Sequence, residues 1–256
     1  MSSVQRPSLA LFMSEPGRAL ADYGAMLATS PAFLFAPRGD GHPVLVMPGL
    51  LAEDASTAIL RFYLRSIGHE VSGWRLGRNL GPTPEIMGGM TTRLDELYAS
   101  SGRAVSLVGW SLGGIFAREL ARSRPKRIRQ VITLGSPFGL DDIRHSRGDG
   151  VYQRLSGRHV NDGSLPAHWD LRRPIPVPTT AVYSRHDGVV PWEACINTPG
   201  PRCENVAVYG SHLGLGHNPA VLWVLADRLA QAEGAWHPFR PPSIARHLFP
   251  DRAAEA

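Results

Sequence analysis

Residues 107–116 read LVGWSLGGIF. An apolar run meets a glycine, then a serine with glycines two positions before and two after, and helix-forming residues follow. A buried strand that passes directly into a helix needs a very sharp turn. Glycine at 109 and 113 removes the side chains that would collide with neighbouring backbone there. The residue at the apex, Ser111, then stands at the carboxyl end of the strand, where ligands gather in α/β sheets. The following helix aims its N-terminal amides at any negative charge developing beside that hydroxyl. The competing interpretation is an ordinary βα turn that happens to contain serine.

The pattern around this stretch alternates. PVLVMPGL (43–50) predicts a buried strand ending in a Pro-Gly turn, and EDASTAILRFYLRSIG (53–68) predicts an amphipathic helix stopped by Gly68. HEVSGWRL (69–76) is a second strand, and PEIMGGMTTRLDELYASSG (84–102) a second helix. AVSLVGW and IRQVITLGSP flank the helix LGGIFARELARSR; PTTAVYSRHD (178–187) and ENVAVYGS (204–211) are two further strands. NPAVLWVLADRLAQ (218–231) closes the series as a helix. Strands that are apolar throughout, separated by helices, predict a parallel sheet covered on both faces. Near the amino end, EPGRALADYGAMLAT has helical periodicity and SPAFLFAPRGDGHP reads as a turn-rich connector. Residues 138–177 show no clear period, which marks a covering excursion or functional loop inside a single domain spanning 1–256, with its core at about 43–232.

Composition narrows the function classes. The 256 residues are 43% apolar with net charge +5, and the pI is about 9.7. Almost all the basic charge is arginine, scattered rather than striped along a helix, so nucleic acid is not an expected partner. No run approaches a membrane span, and LALFM near the start is too short for a signal-peptide core, so a cytoplasmic protein without stable membrane insertion is expected, with a secreted or periplasmic protein whose leader has been removed as the alternative. Cys195 and Cys203 flank a Pro-Gly-Pro turn that would let them close a loop as a disulfide; unlinked thiols are the alternative. There is no H-E-x-x-H, no G-x-x-x-x-G-K and no acidic calcium loop, and the remaining histidines are dispersed, so no metal and no cofactor are expected.

A serine hydroxyl is a weak nucleophile at neutral pH. It needs a base, and the base needs an acid to orient it. Asp187 ends an apolar strand and is followed by a turn; His212 follows another. Of the other acids between Ser111 and His212, including Asp141, Asp142, Glu193 and Glu204, none directly ends a strong strand. His217, beside Asn-Pro at a helix start, suits capping better, and His186 is a bystander. An oxyanion needs two amide donors. Leu112, after the serine, supplies one; the loop VMPGLLA supplies the other, at Leu50 with Leu51 as alternative.

These residues together resemble the α/β-hydrolase family, in particular its bacterial lipases and esterases. GWSLGG is similar to the family's nucleophile elbow, VYSRHDGVVP to its acid loop, and ENVAVYGSHLGL to its histidine loop. The resemblance implies a Ser-His-Asp triad of Ser111, His212 and Asp187, an acyl-enzyme intermediate, a small-molecule ester or acyl substrate, and no cofactor. Pro48-Gly49 stands where many members have His-Gly, and the N-terminal half of the usual sheet is not evident, so an α/β-hydrolase fold of about six mainly parallel strands is expected. Residues 138–177 take the place of a cap, more polar than a strongly interfacial lid, which leans toward soluble or short-to-medium-chain esters. Trp110, Leu51 and Phe138 are candidate substrate-binding residues; for Trp110, packing beneath the elbow is an equal alternative. Thioesterases, amidases and acyltransferases share this machinery, and a non-catalytic protein on the same scaffold is a further alternative.

Overall fold

The computed structural model describes residues 5–139, 146–147 and 171–250. Six strands form one sheet in the order β2-β1-β3-β4-β5-β6, every neighbouring pair parallel. They are β1 (Pro43–Met47), β2 (Glu70–Gly73), β3 (Val105–Trp110), β4 (Ile128–Leu134), β5 (Thr179–Tyr183) and β6 (Cys203–Ala207). The helices are α1 (Leu9–Met13), α2 (Glu15–Thr29), α3 (Ala58–Ser66), α4 (Pro84–Ser101), α5 (Leu112–Ser123) and α6 (Pro219–Ala230).

The apolar strands are buried because both faces are covered. Val44 and Val46 of β1 join one core with Leu60 and Leu64 of α3 and Val221 and Leu225 of α6. Leu45 and Met47 join the other, with Leu94 of α4 and Phe116 and Leu120 of α5. Alternate residues of one strand thus feed two cores, which is why the run reads as continuously hydrophobic.

Local signals set the helix ends. Thr83 accepts from Ile86 N–H at 3.3 Å, Pro84 fills the first position of α4, and Gly102 closes it at φ +63°. Asn218 caps α6 through Ala220 and Val221 N–H, with Pro219 next. The segment predicted as one helix from 53 opens as a 3-10 turn at Asp54–Thr57 before α3 begins. The last two strands end earlier than expected, at Tyr183 and Ala207, so Asp187 and His212 sit on loops beyond them. The polypeptide bends away there because side chains capture its backbone: Ser184 Oγ donates to Gly210 O at 2.7 Å, and Asp22 accepts Ser211 N–H at 3.0 Å.

The carboxyl-terminal stretch wraps the domain. Phe239, Ala245 and Phe249 enter the α6-side core, and the fully buried Arg228 pairs with Glu204 at 2.9 Å. Of the expected cap at 138–177, only 138–139, 146–147 and 171–177 fall within the described residues. Among the described residues, no helix is long and apolar enough to cross a membrane. Both cysteines are free. Cys195 is buried beside Tyr183 and Val190, where burial raises its thiol pKa well above the ordinary value, while Cys203 Sγ faces the carbonyls of Thr198 and Gly200 at 3.2 and 3.3 Å. The side chains are thus engaged separately, so of the two alternatives the structure shows unlinked thiols.

Candidate active site

Ser111 links β3 to α5 with φ +52° and ψ −121°, a conformation non-glycine residues rarely adopt. The turn is tight enough that its glycines are obligatory. A Cβ on Gly109 would overlap the backbone of Gly113 and Gly114; one on Gly113 would overlap the carbonyls of Met47 and Pro48. Ser111 N–H is anchored on Leu134 O at 2.8 Å, at the carboxyl end of β4.

Asp187 and His212 meet at the same rim. Asp187 Oδ2 lies 2.6 Å from His212 Nδ1, and both residues are buried. Asp187 Oδ1 is fixed by the N–H groups of Val189 and Val190, each at 2.8 Å. A carboxylate facing Nδ1 holds the proton there and leaves Nε2 as the acceptor. Burial lowers the imidazole pKa, but Asp187's charge and hydrogen bond, with Glu15's charge, outweigh it, so the pKa stands above the ordinary 6.5. The β4 end touches both partners: a Cβ on Gly135, the residue after Leu134, would lie 3.1 Å from His212 Nδ1 and 3.2 Å from Asp187 Oδ2. Among the described residues, no hydrogen bond joins Ser111 to His212. His217 turns elsewhere, its Nε2 meeting Ala19 O at 2.9 Å.

Compared by sequence, the chain matches no protein-family model and none of the curated proteins. Its three-dimensional form does have relatives. Lipase B of Aspergillus fumigatus superposes with TM-score 0.55 at 18% identity over 76% of this chain, and the match spans 54% of that enzyme's length. MGS-MChE2, an α/β hydrolase from the metagenome of lagoon sediments of Mar Chica, Morocco, gives 0.51 at 20% identity, covering 74% of this chain and 91% of that one. Bacillus licheniformis lipase BlEst2 in its mature form gives 0.51 at 17%, covering 75% and 94%. The chain has the α/β-hydrolase fold.

In this α/β-hydrolase fold, the loop after β1 lies beside Ser111: a Cβ on Gly49 would stand 3.2 Å from Ser111 Cβ and 3.8 Å from its Oγ. Leu51 N–H is already bonded to Asn79 O at 2.7 Å, which removes it as a free donor. The N–H groups of Leu50 and Leu112 have no partner among the described residues. Sequence reasoning missed Asn79, which is fully buried and organises this loop; its side-chain amide donates to Pro48 O at 2.9 Å. The adjacent Gly81 N–H on its Oδ1 is the only local trace, an ordinary Asx turn in sequence terms.

The candidate substrate residues separate. Leu51 is half-exposed at the rim with φ +61°. Trp110 packs against the α6-side core, and its indole N–H donates to His212 O at 3.1 Å, so it holds the histidine loop from below. Phe138 is not at an open entrance: it is 2% exposed, with the Arg118 guanidinium 3.8 Å above its ring.

The histidines outside the site are less dispersed than their spacing suggests. The register Pro43↔Glu70 between β1 and β2 brings His42 and His69 together, and with Asp40 their ligand atoms lie within 4.8 Å of one another. This group lies at the amino ends of the strands, away from Ser111. Asp40 is taken by Arg103 and His42, Arg129 stands 3.9 Å from it, and His42 Nε2 meets Ser106 Oγ at 3.0 Å. Two guanidinium groups thus already supply the positive charge a cation would bring.

Proposed function

We propose that this protein is a serine hydrolase of carboxylic esters, working through Ser111, His212 and Asp187. The observation that carries the reading is the Asp187–His212 pair, 2.6 Å apart, on the same rim as the strained Ser111 turn. Strained backbone of this kind is kept where geometry serves a site.

In this mechanism Ser111 Oγ attacks the ester carbonyl carbon while His212 Nε2 takes its proton. Asp187 keeps His212 in the accepting tautomer and stabilises the imidazolium. The tetrahedral oxyanion sits between the N–H groups of Leu50 and Leu112, each donor of this kind contributing ~3 kcal/mol. His212 returns the proton to the leaving alcohol as the C–O bond breaks. Water, deprotonated by His212, then cleaves the acyl-enzyme, releasing the carboxylic acid and restoring Ser111. The fold relatives named as lipases support an ester substrate, and no metal or cofactor enters these steps.

The test is labelling with a fluorophosphonate together with p-nitrophenyl ester turnover. The wild type is expected to label at Ser111 and hydrolyse the ester; Ser111→Ala is expected to lose the label and fall at least ~1,000-fold in turnover. Retained turnover in that variant would remove the assignment.

A further inference from the structure

Helix α2 is assembled against the usual order. Glu15, Arg18, Ala19 and Asp22 fall on one face at helical spacing, and that face is turned inward. Leu20 and Leu27 are 71% and 54% exposed. The first half of the helix therefore docks through a largely polar stripe onto the two loops that carry Asp187 and His212, while Met26, further along the same face, packs on the α6-side core.

Glu15 is at the centre. Its side chain is 1% exposed, 197 positions from His212 in sequence. Oε1 accepts from Gly188 N–H at 2.8 Å and from His212 N–H at 3.0 Å; Oε2 accepts from Leu213 N–H at 2.9 Å. One carboxylate thus ties the residue after Asp187 to His212 and its successor. Arg18 supplies the counter-charge at 2.7 Å from Oε1 and donates to His186 O at 2.6 Å, on the residue before Asp187. Asp22 extends the clamp: Oδ2 accepts Ser211 Oγ–H at 2.6 Å, and Oδ1 accepts from Asn218 at 2.9 Å. A buried carboxylate without partners is strongly disfavoured, so this set of donors indicates a built site.

We infer that Glu15 is a positioning residue of the active site: it locks the acid loop to the histidine loop and adds a second negative charge behind the His212 imidazole. The inference rests on the triad reading above. Its consequence is electrostatic as well as geometric. The charged groups facing His212 are Asp187 from the loop after β5 and Glu15 from α2, with Arg18 paired to Glu15 and Asp22 holding the neighbouring Ser211. Removing Glu15's charge favours the neutral imidazole, so the His212 titration moves to lower pH. A residue that served packing alone would leave that titration in place.

The experiment uses the full chain with Glu15→Gln and Glu15→Asp. The imidazole pKa of His212 is read by NMR of histidine-labelled protein, kcat/KM is followed against pH, and thermal melting checks folding. Glutamine is nearly isosteric, but its amide group places a donor where one of the present donors needs an acceptor. Glu15→Gln is expected to lower the His212 pKa by about half a unit or more, to move the rising limb of kcat/KM down in pH with it, and to lower the plateau roughly tenfold through kcat rather than KM. Glu15→Asp keeps the charge, so its limb stays nearer the wild type's while its plateau falls. An unchanged His212 titration in both folded variants, with wild-type kcat, would overturn the inference. If Glu15→Gln fails to fold, the inference is judged on Glu15→Asp: wild-type kcat in that variant overturns it. The two levels fail separately: a wild type that neither labels at Ser111 nor turns over ester refutes the triad reading, while the NMR titration still reports whether Glu15 governs His212.

Discussion

Replacing Asp187 by asparagine is the most discriminating change, because the surrounding hydrogen bonds dictate which way the amide faces. Oδ1 of Asp187 receives two N–H donors, from Val189 and Val190, both at 2.8 Å. An asparagine NH2 placed there would confront two donors and leave two buried N–H groups unpaired, at ~1–3 kcal/mol each. The carbonyl oxygen of the amide must therefore keep that position, favoured by about 2–6 kcal/mol. The NH2 group is then forced toward His212 Nδ1, where the carboxylate oxygen now lies at 2.6 Å. Nδ1 has to accept, so the ring proton moves to Nε2, and the base can no longer take the proton of Ser111. The expected loss is ~10,000-fold in kcat, which is ~5.4 kcal/mol of transition-state stabilisation. Because both loop N–H groups stay satisfied, the fold should survive with a small change in melting temperature. The assay is continuous p-nitrophenyl ester hydrolysis from pH 5 to 10, with Ser111→Ala as the background, alongside a thermal melt. A folded Asp187→Asn variant within tenfold of wild type would refute both the tautomer argument and the role of Asp187.

Two further outcomes follow from the packing. Gly109→Ala is expected to cost about 3 kcal/mol, about 6–12 °C in Tm, because the new methyl group meets backbone in the Ser111 turn; Gly88→Ala, on the exposed side of α4 with open space around it, is expected to stabilise by about 0.5–1 kcal/mol. Calorimetry on the pair checks the opposite signs, and equal effects would mean the turn has room the structure denies. The second outcome is acid sensitivity. Burial lowers the pKa of both His42 and His69 from 6.5 to about 4. A group whose folded pKa is depressed contributes stability above its unfolded pKa and loses it as pH falls toward the folded one. Stability is therefore expected to decline between about pH 6.5 and 4, and His69→Phe to flatten that decline; denaturant midpoints across the range measure it.

The sheet was legible because its strands are buried on both faces, which leaves unbroken apolar runs such as Pro43–Met47. The Ser111 turn was legible because sterics demand glycine at 109 and 113. The end of β6 was less so, since Ala207 is followed by Val208 and Tyr209, of similar character, and tertiary bonds from Ser184 and Asp22 turn the chain there; β5 stops where its apolar run stops, at Tyr183 before Ser184. His42 and His69 meet through strand register, which no local pattern encodes. Phe138 read as a candidate substrate-binding residue because the guanidinium that covers it, Arg118, belongs to the helix after the serine. Glu15 was invisible for a more general reason. An acid in the first turn of a helix is ordinary solvent-facing chemistry in a sequence, and the apolar residues of α2 suggest the opposite face as the buried one.

That inversion bears on how the site is specified. The elbow is rigid by construction, since β3, α5 and the carbonyls behind Gly113 leave it no freedom. The loops that carry Asp187 and His212 have less backbone support, each running several residues beyond its strand before that side chain appears, with bonds from Trp110 and Ser184. An apolar helix laid across them would stabilise many registers almost equally. A helix that carries two carboxylates, Glu15 and Asp22, is stable only where each finds its donors, because a misdocked carboxylate would stay buried and unpaired. Docking by buried charge therefore selects one arrangement of the two loops. That arrangement sets Asp187 2.6 Å from His212 and turns Nε2 toward the accepting role.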